Sequence, residues 1–337
     1  MKNRHVLLWA AFAMFALTMP LRASGPLNLL QTIKLAPDIT GHFDHFGVDL
    51  KHDRLFATPI DHKSVEVFDI RTGEHIYSIG GIIGEPHAVL YRGDLNKIYV
   101  TDGAGSVWII DGNSYEIVQN VELLHDASSM GYDQATKYLY IDSGGKEAGL
   151  KYSMLSIVDT TRAEKVAEIK MDSTALEAMA LESKSPKMYV NNRSKNEVAV
   201  IDRKKRYVVG SWPVTLGQAN KAMALDEGNN RLFVGCRSGV IVVLDTESGK
   251  EVRALPITKM VDDMVFDRAS KRIYAAGDGD ADVYEEMDPN HYKFLGKVMT
   301  GPSAKTACLV PELERYFVAV PSYGNRRAEI LVYKVNQ

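Results

Sequence analysis

A short strand motif recurs seven times along the chain, and it limits the possible folds more than any other feature. Each copy has a basic or polar residue, two apolar or aromatic residues, then a small one. The copies are Arg54-Leu55-Phe56-Ala57, Lys97-Ile98-Tyr99-Val100, Tyr138-Leu139-Tyr140-Ile141, Lys187-Met188-Tyr189-Val190, Arg231-Leu232-Phe233-Val234, Arg272-Ile273-Tyr274-Ala275 and Arg315-Tyr316-Phe317-Val318. The aromatic at the third place moves from 56 to 99, 140, 189, 233, 274 and 317, in steps of 41 to 49 residues. A period in the forties, filled with short strands, belongs to an architecture with one four-stranded sheet per repeat.

The rest of each repeat agrees. A second strand follows each copy and usually ends in Asp, as in Val65–Asp69, Val107–Asp111, Ser156–Asp159, Val198–Asp202 and Val240–Asp245. A turn rich in Thr, Gly and charge comes next, for example Arg71-Thr72-Gly73-Glu74, where Asp and Gly suit tight turns. An outer strand such as Ile117–Val121 closes the unit. No helical period competes with these β-rich runs. The fold class is therefore all-β, a seven-bladed β-propeller with four-stranded antiparallel blades. The seventh unit reaches only its third strand, at Glu329–Val335, while an unmatched outer-type strand stands at Leu29–Leu35. The N-terminal strand is expected to complete the last blade, closing the ring and removing a bare sheet edge.

Tyr99-Val100-Thr101-Asp102 and Tyr189-Val190-Asn191-Asn192 lie close to the motif that names the YVTN repeat. Phe43-Asp44-His45, Ala222–Glu227 and Val310-Pro311-Glu312-Leu313 add to the likeness. From about residue 27 to 335 the chain resembles the YncE-like exported members of the YVTN β-propeller repeat family. The resemblance implies the propeller fold and export. It also raises single-stranded DNA binding, for which Arg193, Lys195, Arg326 and Arg327 would have to supply the charge.

Composition narrows the remaining questions. Of the 337 residues 45% are apolar, enough for a large core, and the formal net charge is −3. No broad basic surface is implied, so nucleic acid is not the expected partner. Lys2 and Arg4 precede the apolar run Val6–Met19, and Leu21-Arg22-Ala23-Ser24 offers small residues for cleavage. This pattern reads as a signal peptide over residues 1–23, followed by one propeller domain over 24–337. A retained membrane anchor is the alternative. The mature chain is expected to be a periplasmic or secreted monomer with no membrane span. The two cysteines, Cys236 and Cys308, fall in the fifth and seventh blades, too far apart to bridge, so both are expected as buried free thiols.

Propeller geometry turns the repeat into a map of one opening. The position twelve residues before each repeated aromatic reads Asp44, His87, Ser128, Glu177, Lys221, Asp262 and Lys305. All are polar. Two residues further on stand Phe46, Val89, Met130, Met179, Met223, Met264 and Ala307, all apolar. The polar positions predict a ring at the mouth of the central channel, serving either as a ligand funnel or as a solvated mouth held by ion pairs. Rim contacts are expected from Asn192, Arg193, Tyr323, Arg326 and Arg327, on loops opening to the same face as the insertion Ser143–Tyr152. His42, His45, His87 and Asp44 could give nitrogen and oxygen ligands to a divalent metal, although their spacing is not a local metal motif. Asp278-Gly279-Asp280-Ala281-Asp282 resembles a partial calcium loop without its distal Glu. Nucleophile and phosphate-loop motifs are absent.

The expected function is a binding module taking a small polar ligand or a protein partner at the funnel, with no cofactor required. A metal-assisted hydrolase or lyase is the alternative, and DNA binding the second alternative. Mutual repulsion among the ring acids predicts that their removal leaves the fold intact, or slightly more stable.

Overall fold

The alternation of short apolar strands with Asp- and Gly-bearing turns folds into seven four-stranded antiparallel sheets arranged as a β-propeller. Within each of the first six sheets the strands lie in chain order from innermost to outermost. The computed structural model describes residues 25–80 and 84–336, so the signal-peptide segment lies outside the described residues. Among those residues the only helical elements are two short 3-10 turns, Ile60–His62 and Pro311–Leu313. Among the described residues no helix is long and apolar enough to cross a membrane.

The repeated aromatics explain why the blades stack. Phe56, Tyr99, Tyr140, Tyr189, Phe233, Tyr274 and Phe317 are all at most 1% exposed. Seven apolar clusters form, one between each pair of neighbouring blades. Phe46, Val89, Met130, Met179, Met223, Met264 and Ala307 each join a different one of them. Full burial of one large apolar side chain contributes about 1.5–3 kcal/mol, so every seam is held by several such terms.

The basic residue that opens the motif has its own task. Arg54 of blade 1 donates to the carbonyl of Gly112 in blade 2 at 2.5 Å. Arg231 of blade 5 reaches Pro289 in blade 6 at 2.8 Å. Arg315 of blade 7 reaches Ile70 in blade 1 at 2.9 Å. Lys187 bonds Thr246 at 3.4 Å, and Arg272 bonds Asn336. These side chains clamp the lower turn of the next blade and satisfy carbonyls left outside the ladders. The Asp ending the third strand folds that same turn. Asp69, for example, accepts from the backbone N–H of Arg71 at 2.9 Å and Thr72 at 2.7 Å, and Asp111 and Asp245 act likewise.

The N-terminal strand, Leu27–Lys34, pairs antiparallel with Glu329–Val335 as the outer strand of blade 7, from Leu27 opposite Val335 to Lys34 opposite Glu329. Leu27, Ile33 and Leu35 are buried there. Cys236 and Cys308 are free thiols, with Cys236 buried and Cys308 half-buried, and burial pushes both up to about 12.

Deleting residues 25–36 removes three buried apolar side chains and bares the edge of Glu329–Val335. It should cost about 5 kcal/mol or more and lower the melting temperature of the whole ring in one transition. An unchanged melting temperature would contradict closure by this strand.

Candidate functional site

Equivalent positions in a propeller converge on one axis, and the seven ring residues do so. The inner strands deliver them to a mouth with two adjoining cavities of about 560 and 280 Å³ that share Asp44, Lys221 and Arg237. Asp44, His87, Ser128, Glu177 and Lys221 line the larger cavity, and Asp44, Lys221, Asp262 and Lys305 the smaller. A chain of ion pairs runs around the opening. Arg193 holds Glu177 at 3.0 Å, and Lys221 contacts both Glu177 and, at 3.5 Å, Asp262. Asp262 is also held by Lys305 at 2.9 Å and Arg237 at 3.1 Å. On the other side His87 Nδ1 lies 2.6 Å from Asp44, whose second oxygen is 3.3 Å from His45 Nε2. His45 Nδ1 then meets Asp263 at 2.7 Å.

These contacts set the charge states. Burial opposes ionisation of Asp44, yet His45 and His87 hold it well below the usual carboxylate range. Burial also opposes charge on His45, but Asp263 and Asp44 outweigh it and push its pKa up to about 10. Lys221 is raised in the same way by Asp262, Glu177 and Asp44, while Asp262 is lowered by Lys221 and Lys305. The expectation of net repulsion among the ring acids is therefore corrected. Each acid answers a cation, and its removal strands that cation in a half-dry site.

Asp126 and Asp142 behave oppositely. Burial pushes Asp126 up to about 6, aided by Glu147 and Glu177. Asp142, 4% exposed, is raised well above the carboxylate range by burial, Glu177 and Asp126. Its place in the repeat sets it apart. Two residues after the aromatic, Thr58 donates to His87 O at 3.0 Å, Thr101 to Ser128 O at 2.7 Å and Asn191 to Lys221 O at 3.0 Å. Each bonds the backbone of the next blade's ring residue. Asp142 occupies this position in blade 3, where its Oδ1 has no hydrogen-bond partner.

The insertion builds part of the wall. Gly144 and Gly145 have φ of +85° and +80°, and Lys146 N–H bonds Thr174 O at 2.9 Å. A Cβ on Gly145 would stand 2.5 Å from Thr174 O, so only glycine lets the loop cross onto blade 4. Lys146 and Glu147 thereby line the larger cavity.

The rim residues separate into three cases. Arg193 joins the ring through Glu177. Asn192 is a correction: it is 2% exposed, and its amide donates to Asp172 O at 3.2 Å and to Glu197 at 3.0 Å, so it braces its loop. Tyr323, Arg326 and Arg327 are exposed on the loop over residues 321–327 but line neither mouth cavity. The proposed metal set divides as well. His45 and His87 share Asp44, whereas His42 sits with Asp61 at 3.3 Å. Among the described residues no group of three or more His, Cys, Asp or Glu is arranged to hold an ion. Asp282 and Asp278 accept from the N–H of Thr258 and Ser303, at 2.6 and 2.9 Å, and so brace loops. Asp142, Arg237 and Asp263 escaped the sequence map, and Lys146 was covered only as part of the insertion Ser143–Tyr152. Arg193 and Arg237 both stand four residues after the aromatic, in blades 4 and 5, a signal that was available.

No family model matches the chain, and no curated protein matches it. Among solved structures, a chain in the crystal structure of the mitotic checkpoint complex superposes with a TM-score of 0.77, covering 100% of both chains at 14% identity. At that identity the likeness shows the fold alone.

Two outcomes test the ring. His45 stabilises the fold through a raised pKa, so its contribution is complete below about 6.5 and is lost as pH rises toward 10. The melting temperature should fall across that window, and His45→Gln should flatten the fall; equal slopes would contradict the network. Asp262→Ala strands Arg237 and Lys305, leaves Lys221 only Glu177, and should cost roughly 2–4 kcal/mol in chemical denaturation. A neutral or stabilised variant would restore the repulsion account.

Proposed function

We propose that the protein is an exported binding module of the YVTN-like kind that seats a small polar ligand in the charged mouth of its channel. The observation that carries this reading is the mouth itself. Equivalent positions of five blades, Asp44, His87, Ser128, Glu177 and Lys221, meet around a cavity of about 560 Å³, within the range of about 300–1,000 Å³ that suits small-molecule sites. Its lining is preorganised, because Lys221 and Arg193 hold Glu177, and His45 and His87 hold Asp44, before any ligand arrives. Such fixed dipoles and charges favour recognition at low ordering cost. Export is supported by the basic start and apolar run of residues 1–23, and YVTN-like membership by the two tetrapeptides at 99–102 and 189–192. The rim arginines do not favour nucleic acid, since Arg193 is neutralised by Glu177 and Arg326 lies 3.4 Å from Glu329.

A thermal-shift screen of polar metabolites tests the proposal, run on the mature protein and on Glu177→Gln. At least one compound should raise the melting temperature of the wild type, and the shift should shrink by half or more in the variant. A ligand whose shift is indifferent to the ring, or a screen in which no compound class shifts the wild type, overturns it.

A further inference from the structure

The ring charges are mutually satisfied, but the larger cavity is also lined by groups that the protein leaves unanswered. On the blade 3 side stand Asp126 and Asp142. Oδ1 of the buried Asp142 has no hydrogen-bond partner. Asp126, half-buried, feels His87, Glu147, Glu177 and Lys221 as through-space charges. On the blade 5 side stands Arg237. Its Nη2 donates to Asp262 at 3.1 Å, while its buried Nε has no partner. Lys146, exposed at the tip of the insertion, adds a second cation to the same wall set.

These groups ask for opposite charges in one ligand. A buried carboxyl group whose ionisation nearby carboxylates oppose is relieved by a cation placed beside it. Because no three carboxyl, imidazole or thiol groups among the described residues are arranged as a chelate, an organic ammonium fits better than an ion. A guanidinium Nε–H and a lysine that line the same cavity both suit a carboxylate. An amine alone would leave Arg237 and Lys146 unanswered, and an acid alone would leave Asp126 and Asp142. We infer that the cavity takes a small zwitterion, of amino-acid to dipeptide size, with its ammonium on Asp126 and Asp142 and its carboxylate on Arg237 and Lys146. This inference rests on the reading of the mouth as a binding site, and gives that site its ligand chemistry.

Isothermal titration calorimetry of the mature protein tests it with the twenty amino acids and a set of dipeptides. Each binder is compared with its N-acetyl form, which lacks the ammonium, and its amide, which lacks the carboxylate. Both truncated forms should bind roughly tenfold or more weakly than the zwitterion. Asp126→Asn should abolish the preference over the N-acetyl form. It should remain folded, because no hydrogen bond is drawn from that carboxyl. Lys146→Ala, at an exposed loop tip, should reduce the preference over the amide. Because Asp126 must be ionised to receive an ammonium, binding near its pKa of about 6 should release protons. The measured heat should then vary with buffer ionisation enthalpy in the wild type and not in Asp126→Asn. An N-acetyl form or amide that binds as tightly as the zwitterion overturns the inference, as does an Asp126→Asn variant with unchanged preference. Absence of binding by every zwitterion overturns it too. In those cases a ring-dependent hit of another class in the thermal screen leaves the mouth as a binding site; no such hit removes both readings.

Discussion

The whole structure depends on each blade burying both of its faces against its neighbours. A four-stranded sheet cannot hide two apolar faces alone, so seven sheets hide them in one another and the ring must close. The buried aromatic of the second strand sits at the centre of this arrangement, at most 1% exposed in all seven blades. In five blades the basic residue two positions before it ties the seam further, by gripping carbonyls in the following blade. Closure by Leu27–Lys34 makes the last seam equivalent to the others, with Ile33 and Leu35 in the cluster between blades 7 and 1.

The mouth inherits its chemistry from that closure. Inner strands that start at equivalent places must bring their first side chains to a common axis, and like charges there would repel at short range. The sequence places acids and bases so that Glu177, Lys221, Asp262 and Lys305 alternate in sign across blades 4 to 7. Blades 1 and 2 use His45 and His87 around Asp44 instead. Blade 3 departs from this balance. Asp126 and Asp142 feel Glu177 without enough cations, and both are held toward the protonated form.

The strands, the blade count, the closing strand and the polar ring were legible because each repeats at a fixed offset from an aromatic. Periodicity averages out the ambiguity of any single short strand. The site beyond the ring was less legible for a physical reason: its groups break the repeat. Asp142 stands where Thr58, Thr101 and Asn191 donate, and its identity means something only beside those donors. Lys146 comes from an insertion with no counterpart in other blades. Asn192 misled because a polar residue in a loop looks available, while its amide is consumed by Asp172 O and Glu197. Arg193 and Arg237 share an offset, but only in two adjacent blades, too few copies to stand out. The ring's acids and lysines were legible together, but only geometry reports which cation each acid meets.

Hydrogen exchange by mass spectrometry gives the most direct test that the mouth is the working surface. The protein would be compared before and after incubation with the pooled polar metabolites of the thermal-shift screen. The account predicts added protection in the peptides spanning residues 124–130, 142–152, 174–178 and 235–239, with the outer strands unchanged. Protection confined to the outer strands, or to the face bearing the third-to-fourth-strand turns, would contradict it.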